Sequence, residues 1–196
     1  METDRTGAVV LTGGSAVRLD GADKASIELG GLTLLEHALG AMLDIPEVVV
    51  VGDAVPTTRP VTFTREDPAD GGPAAGLLAG LRAFARRPDR VAVLAVDMPL
   101  VTSTTIRRLL AATELGGHPA DGAALIDDDE RIQYLCAVYT TDALDRTRPA
   151  YEDEHGLSMR ALVGGLKLTR VPAFGPETRD VDTWADLLAL RETFGG

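Results

Sequence analysis

Residues 8–24 read AVVLTGGSAVRLDGADK, which joins a short apolar run to a glycine-rich loop that ends on a lysine. We predict a strand over Ala8–Thr12, followed at once by Gly13 and Gly14 and, ten residues later, by Lys24. Glycines let the backbone approach a ligand closely, and successive N–H groups in such a loop can bind an anion. This stretch therefore predicts a strand–loop–helix unit whose first loop accommodates phosphate.

The loop matches neither of the common phosphate-binding motifs. A Walker A motif requires glycine immediately before the lysine, where this chain has Asp23. A dinucleotide-binding G-x-G-x-x-G motif fails because the first two glycines are adjacent and the next is Gly21. Arg18 and Lys24 remain as cations beside the glycines. On spacing alone, an anion-binding loop and a plain glycine-rich turn with incidental bases both stay open.

Short β-branched runs alternate with amphipathic segments along the chain, which is typical of a mainly parallel sheet covered by helices. The runs at 123–126 and 135–139 flank an acidic turn and predict an antiparallel hairpin. We therefore predict an α/β fold with a single domain over residues 1–196. The predicted strands are Ala8–Thr12, Val48–Val51, Val61–Thr64, Val91–Val96, Ala123–Ile126, Leu135–Tyr139 and Leu168–Val171. The predicted helices are Thr33–Leu43, Ala74–Ala85, Thr104–Glu114 and a last one opened by Thr183 and Asp186.

The composition restricts the classes of partner. Thirty acidic residues against 19 basic ones leave a net charge of −11, which argues against non-specific binding to nucleic acid or to a membrane surface. Cys136 is the single cysteine, so an intrachain disulfide and a cysteine-based zinc site are both excluded. The chain has no apolar run of the ~18 residues that span a membrane. We expect a cytoplasmic protein.

Acidic residues follow the later strands. Asp97 comes directly after the buried run VAVLAV, and Asp180 and Asp182 alternate, which places them on one face of an extended segment. Carboxylates in such positions can hold Mg²⁺ against phosphate oxygens. Ligands of open α/β sheets bind outside the carboxyl ends of the strands, so we expect these loops to converge. Simple capping of a turn by Asp97, or of the last helix by Asp182, stays open as an alternative.

Together, these motifs resemble those of the MobA-like nucleotidyltransferases, and most closely those of the molybdenum cofactor guanylyltransferases. The family motif L-A-G-G-x-S/A-x-R-M-G-G-x-D-K aligns without a gap with residues 11–24, LTGGSAVRLDGADK. The family's G-P-L-A-G corresponds to residues 72–76, its D-x-P to residues 97–99, and its C-terminal N-x-N-T-P-E-D-L to residues 180–187. The order and the intervals hold along almost the whole chain.

The resemblance implies a Rossmann-like nucleotidyltransferase domain with three α/β/α layers, which binds a nucleoside triphosphate and Mg²⁺. It implies transfer of GMP from GTP to the phosphate of molybdopterin, release of pyrophosphate, and transient contact with molybdenum cofactor synthesis proteins or molybdoenzymes. The implied nucleotide-binding residues are Leu11, Thr12, Gly13, Gly14, Lys24, Asp67, Gly72 and Asp97. The implied catalytic residues are Arg18, Lys24 and Asp97, and the implied metal ligands are Asp97, Asp182 and Asp180.

The chain departs from the family pattern at several of these positions. Asp20 stands where the family has a glycine in the phosphate loop, Thr12 replaces an alanine, and Trp184 replaces a proline. Asp180 and Asp182 replace asparagines. Two alternatives therefore stay open. One is a transferase that uses CTP or another phosphorylated acceptor, and the other is a catalytically weak nucleotide-binding regulatory protein.

Overall fold

The computed structural model describes residues 5–13, 23–114 and 120–194, with residues 192–194 described in their backbone alone. Within these residues, seven strands form one sheet in the order β5-β4-β1-β6-β8-β7-β9, and two short strands, β2 and β3, form a separate hairpin. The strands are β1 (Thr6–Leu11), β2 (Glu28–Leu29), β3 (Leu32–Thr33), β4 (Glu47–Val51), β5 (Thr62–Thr64), β6 (Arg90–Ala95), β7 (Gly122–Ile126), β8 (Ile132–Thr140) and β9 (Leu168–Pro172).

The direction of β8 distinguishes it from the other described strands of the large sheet. It runs antiparallel to both β6 and β7, whereas β1 pairs in parallel with β4 and β6, and β7 with β9. The predicted hairpin of β7 and β8 is confirmed, and so is the mainly parallel sheet. The insertion of β8 between β6 and β7 was not predicted. As a result, the carboxyl ends of the parallel strands share one edge of the sheet.

Two apolar cores lie on opposite faces of the sheet, which confirms the three-layer arrangement. Alternation along β1 sends Ala8 and Val10 into one core and Val9 and Leu11 into the other. Helices α1 (Leu34–Ala41), α3 (Ser103–Glu114) and α6 (Trp184–Phe194) cover the first core. Helices α2 (Gly72–Arg82), α4 (Thr141–Thr147) and α5 (Met159–Val163) cover the second.

Two glycines set the distance between α2 and the sheet. A Cβ on Gly76 would lie 3.2 Å from Leu11, and one on Gly80 would lie 2.8 Å from Val9. These positions are four residues apart and therefore share one face of the helix. Their lack of side chains lets the start of α2 lie close to the carboxyl end of β1.

The ends of the helices follow the capping chemistry of the sequence. Thr33 caps α1 by accepting a hydrogen bond from the N–H of Glu36. Thr183 and Asp186 exchange the hydrogen bonds of a capping box at the start of α6, as predicted. The predicted α1 and α2 ran past their observed ends, since α1 ends at Ala41 and α2 at Arg82. No helix in the described parts of the chain is both long and apolar enough to cross a membrane.

Candidate active site

Three segments distant in sequence meet at the carboxyl edge of the sheet. The ammonium nitrogen of Lys24 lies 2.9 Å from Oδ2 of Asp97 and 2.9 Å from Oδ1 of Asp182. Lys24 is separated from these partners by 73 and 158 residues, respectively. The predicted convergence of the loops after β1, after β6 and before α6 is thereby observed for these three residues.

Val181 holds the two C-terminal carboxylates in place. Its side chain is fully buried, and its N–H donates to the carbonyl of Asp97 with an N···O distance of 2.8 Å. Asp180 and Asp182 flank it in a segment without regular secondary structure and are both more exposed than Val181. The backbone hydrogen bond and the buried valine therefore fix the C-terminal segment against the loop after β6.

A short 3₁₀ turn positions Lys24. The carboxylate of Asp23 accepts hydrogen bonds from the N–H of Ala25 and the hydroxyl of Ser26, which caps the turn Lys24–Ser26. Ala25 is buried in the core. Anchoring of this neighbour directs the lysine side chain, which is 10% exposed, toward the two carboxylates.

The pKa values of Lys24 and Asp180 are both raised in this site. Partial burial by itself would lower the pKa of Lys24, but the nearby carboxylates of Asp97 and Asp182 outweigh it and raise that pKa above its ordinary value. Partial burial raises the pKa of Asp180, and the negative charges of Asp182 and Asp97 raise it further. The site is therefore a concentration of negative charge that Lys24 neutralises only in part.

The donor set of the site fits a hard divalent cation that also binds a ligand. Asp97 and Asp182 are close enough to share one positive charge, since both contact the ammonium group of Lys24. In the described ranges, no group of three or more Asp, Glu, His or Cys side chains is arranged to hold a metal ion. Mg²⁺ is commonly held by one or two carboxylates together with substrate phosphates and water. These two carboxylates match that mode rather than a site made of protein ligands alone.

A cleft of about 540 Å³ opens beside the start of α2. Its walls combine apolar side chains from the ends of β1 and β4 with Gly13 and two glycines of α2, and two carboxylates also line it. The lining residues are Leu11, Gly13, Val51, Glu66, Asp70, Gly72, Pro73 and Gly76. No side chain caps the start of α2, so the free N–H groups of its first turn are available to an anionic ligand.

Thr12 and Gly52, which are next in sequence to lining residues of the cleft, pack directly against each other. The N–H and the hydroxyl of Thr12 both donate to the carbonyl of Val51, at 3.1 and 3.0 Å. A Cβ on Gly52, whose φ is +152°, would overlap the Thr12 hydroxyl oxygen. The threonine that departs from the family pattern is thus accommodated by the glycine that directly follows the neighbouring strand β4.

Of the other predicted site residues, some line the cleft, one lines a neighbouring cavity, and some lie outside the described residues. Leu11, Gly13 and Gly72 line the cleft. Asp67 lies in the loop between β5 and α2 and lines a smaller neighbouring cavity of about 120 Å³. Gly14 and Arg18 lie outside the described residues, and so does Asp20.

Glu66 and Asp70 are carboxylates of the cleft that the sequence reasoning missed. Asp70 has a φ of 61°, a left-handed conformation that few non-glycine residues adopt. Such backbone conformations cluster at ligand sites. The signal in the sequence was the run of acids in REDPAD directly before Gly71 and Gly72, but spacing could not show which acid faces the cleft.

The nucleotide-sized cleft, the glycine-rich strand end and the lysine between two carboxylates define the class of protein. The chain belongs to the family of the MobA-like NTP transferase domain, whose model matches residues 8–170. It is therefore a nucleotidyltransferase, and the predicted family and enzyme class are confirmed.

Related sequences give the particular branch of the family. A protein of Mycobacterium tuberculosis named "probable molybdenum cofactor guanylyltransferase" is 38% identical over 144 residues, covering 70% of this chain and 69% of that protein. A protein of Mycobacterium ulcerans with the same name is 37% identical over 145 residues, with the same coverage.

Solved structures share the fold. The molybdopterin-guanine dinucleotide biosynthesis protein A of Archaeoglobus fulgidus superimposes with a TM-score of 0.73 at 23% identity, covering 95% of this chain and 97% of that one. The 2-C-methyl-D-erythritol 4-phosphate cytidylyltransferase of Thermus thermophilus superimposes with a TM-score of 0.67 at 22% identity, covering 95% and 98%. The predicted Rossmann-like nucleotidyltransferase fold is confirmed, whereas the boundaries of a single domain over 1–196 stay a prediction.

Proposed function

We propose that this protein is a Mg²⁺-dependent guanylyltransferase that transfers GMP from GTP to the phosphate of molybdopterin and releases pyrophosphate. The observation that carries the proposal is the ammonium group of Lys24, 2.9 Å from both Asp97 and Asp182, at the same sheet edge as the cleft. The names of the mycobacterial relatives support the choice of guanylyl group and acceptor. Transient contact with molybdenum cofactor synthesis proteins or molybdoenzymes, and a cytoplasmic location, remain part of the same proposal.

In this proposal the nucleotide occupies the cleft. The backbone of Leu11, Thr12 and Gly13 contacts the base, with Gly14 and Gly72 beside it. Asp67 contributes to nucleotide binding from the loop between β5 and α2, which also contains the cleft carboxylates Glu66 and Asp70.

The cleft carboxylates suit guanine better than cytosine. The Watson–Crick edge of guanine presents two adjacent donors, N1–H and the 2-amino group, and a carboxylate has the two acceptor oxygens to receive them. Cytosine offers one amino donor, beside acceptors that a carboxylate repels. Glu66 and Asp70, which line the cleft, are the side chains that supply such acceptors.

The chemistry requires no protein nucleophile. An oxygen of the acceptor phosphate forms a bond to the α-phosphorus of GTP, and the bond from that phosphorus to the bridging oxygen of the β-phosphate breaks. Pyrophosphate leaves with that electron pair. The acceptor is already an anion, so no base has to remove a proton from it. Lys24 and Arg18 reduce the charge repulsion and hold the phosphates in line.

Asp97 and Asp182, assisted by Asp180, would hold the Mg²⁺ of this reaction. When bound, the ion neutralises charge on the triphosphate and on the departing pyrophosphate. A cation bound there would supply the positive charge that Lys24 now gives these two carboxylates, and would leave its ammonium group available to the phosphates.

The test is pyrophosphate release by the purified protein with Mg²⁺, molybdopterin and each nucleoside triphosphate in turn. We expect release with GTP, and a smaller preference for GTP over CTP in the variants Asp70→Asn and Glu66→Gln. The substitution Asp129→Asn in the exposed β7–β8 turn serves as the control. Release with CTP but not with GTP would make the protein a cytidylyltransferase. Tight GTP binding without turnover would make it a regulatory nucleotide-binding protein.

A further inference from the structure

Glu154 is a buried carboxylate with no part in the chemistry proposed above. Its side chain is 4% exposed, and among the described residues it is the only Asp, Glu, Lys, Arg or His that is buried. Arg82 Nη1 lies 2.9 Å from both of its carboxylate oxygens, and Arg148 Nε lies 3.2 Å from Oε1. Burial of an ion pair is costly, and in some proteins such a pair fixes one specific arrangement of the chain.

Tyr151 connects the buried ion pair of Arg82 and Glu154 with the loop beside the cleft. The guanidinium of Arg82 lies over the Tyr151 ring, 5.1 Å from its centre. The Tyr151 hydroxyl donates to the carbonyl of Asp67 at an O···O distance of 2.7 Å. The N–H of Gly156 donates to the carbonyl of Gly71 at 2.8 Å.

These two hydrogen bonds hold both ends of one loop, residues 66–71, which we term the cleft loop. The cleft loop contains Glu66 and Asp70, two of the residues that line the cleft, and it leads directly into Gly72 at the start of α2. It has no regular secondary structure apart from turns, and most of its residues are exposed. Its conformation therefore depends on these contacts from residues 151–156.

We propose that Tyr151 and Glu154 are positioning residues that hold the cleft loop in the conformation that selects the base of the nucleotide. This inference rests on the proposed function, because it assigns the cleft to the nucleotide. A loop that is already ordered binds its ligand without the entropy cost of ordering it, so anchoring increases affinity and selectivity. Neither residue contacts Lys24, Asp97 or Asp182, so the rate of the chemical step should not depend on them.

The substitution Tyr151→Phe isolates this effect because it keeps the ring beneath Arg82 and removes the hydroxyl group. Loss of one hydrogen bond corresponds to a weakening of GTP binding by about three- to tenfold. ITP, which lacks the 2-amino group of guanine, reports the base selectivity. We expect the ratio of GTP to ITP affinity to fall in the variant, while kcat for pyrophosphate release with molybdopterin changes by less than about twofold.

Glu154→Gln is the second variant, since it keeps the shape of the side chain and removes its charge. Arg107→Gln is the matched control, because it breaks an exposed ion pair between Arg107 on α3 and Asp44. It should leave the affinities for GTP and ITP unchanged. Calorimetric titration with GTP, ITP and CTP gives the affinities, and thermal denaturation shows whether each variant is folded.

The outcomes separate this inference from the proposed function. Unchanged GTP affinity in Tyr151→Phe, or equal losses for GTP and ITP, would overturn the positioning role while leaving the guanylyltransferase proposal intact. A wild-type protein that binds no nucleoside triphosphate would overturn both. If the wild type prefers CTP, the guanylyl assignment fails, and the same variants decide the positioning role by their CTP affinity and kcat.

Discussion

The side-chain nitrogen of Lys24 lies 2.9 Å from Oδ2 of Asp97, although 73 residues separate the two along the chain. Asp182 contacts the same nitrogen from the C-terminal segment. One positive charge thus links the first loop of the sheet with the loop after β6 and the segment before α6. The same charge reduces the repulsion between Asp97 and Asp182, so its removal should affect both the stability of the fold and the reaction.

Replacement of Lys24 by methionine tests this double role. We expect Lys24→Met to reduce turnover by about 100-fold or more, because a cation that stabilises transferred phosphate charge is lost. Without Mg²⁺ its melting temperature should be lower than that of the wild type, and Mg²⁺ should raise it by more than in the wild type. Thermal denaturation with and without Mg²⁺ measures this. The exposed Lys167→Met is the control, and an equal response to Mg²⁺ in both variants would contradict the prediction.

The pH dependence of this contribution follows from the raised pKa of Lys24. A cation whose pKa is raised by folding contributes stability that is fully present below its unfolded pKa of ~10.4 and is lost as the pH rises through the folded value. We therefore expect the difference in melting temperature between wild type and Lys24→Met to stay constant from about pH 6 to 9 and to shrink above about pH 10.5. A difference that disappears near pH 8 would show that Lys24 titrates far lower.

Asp97 should be the acidic residue on which the reaction depends most. Its carboxylate is 24% exposed and follows a buried strand, whereas that of Asp182 is 43% exposed. We expect Asp97→Asn to reduce kcat by about 100-fold or more and to raise the Mg²⁺ concentration that gives half-maximal activity. Asp182→Asn should have the same effects to a smaller degree. Near-wild-type activity of Asp97→Asn at any Mg²⁺ concentration would remove Asp97 from the proposed metal site.

Asp180 should lower stability when no cation is bound. Its pKa is raised by burial and by neighbouring carboxylates, so the folded state disfavours its ionised form at neutral pH. We expect Asp180→Asn to raise the melting temperature at pH 7 by about 1–2 °C in the absence of Mg²⁺. The gain should disappear on acidification, because Asp180 of the wild type then becomes protonated. A stabilising effect that is equal at pH 4 and pH 7 would argue against charge repulsion as its cause.

The pairing of Thr12 with Gly52 predicts coupled substitutions. Gly52→Ala places a methyl group on the Thr12 hydroxyl and forces a side chain into a φ of +152°, which should destabilise the protein by about 2–4 kcal/mol. Thr12→Ala removes the overlap, so the double variant should recover about 1 kcal/mol or more relative to the sum of the two single changes. Chemical denaturation of all four proteins measures this coupling. Additive losses would show that backbone strain alone excludes alanine.

Much of the fold could be predicted because its signals are local. The continuous apolar runs of β1, β4 and β6 indicate strands buried on both faces. The residues of the capping box at α6 lie within one helical turn of each other. The insertion of β8 between β6 and β7 could not be read in this way, because a hairpin signal does not specify which further strand lies beside it.

The candidate site also contains some residues that local sequence signals indicate and others that only the structure identifies. Lys24, Asp97 and Asp182 could be chosen from the sequence, since each stands at the end of an element in a motif whose residue types suit phosphate and Mg²⁺. Asp67 was chosen from the family resemblance and stays a prediction, and the structure adds Glu66 and Asp70 as carboxylates that line the cleft. Which acid faces a cavity depends on backbone conformation and on contacts from elsewhere, here from Tyr151 and Gly156.

The sequence by itself therefore determined the class of fold, because alternation and capping are properties of neighbouring residues, and its motifs indicated the family and the residues proposed for the reaction. The tertiary structure alone decided that one ammonium group lies between two distant carboxylates, that Gly52 accommodates Thr12, and that a buried ion pair at Glu154 supports the cleft loop. Each of these relationships joins residues tens of positions apart. They arise from close packing of strands and loops, which no local pattern in the sequence records.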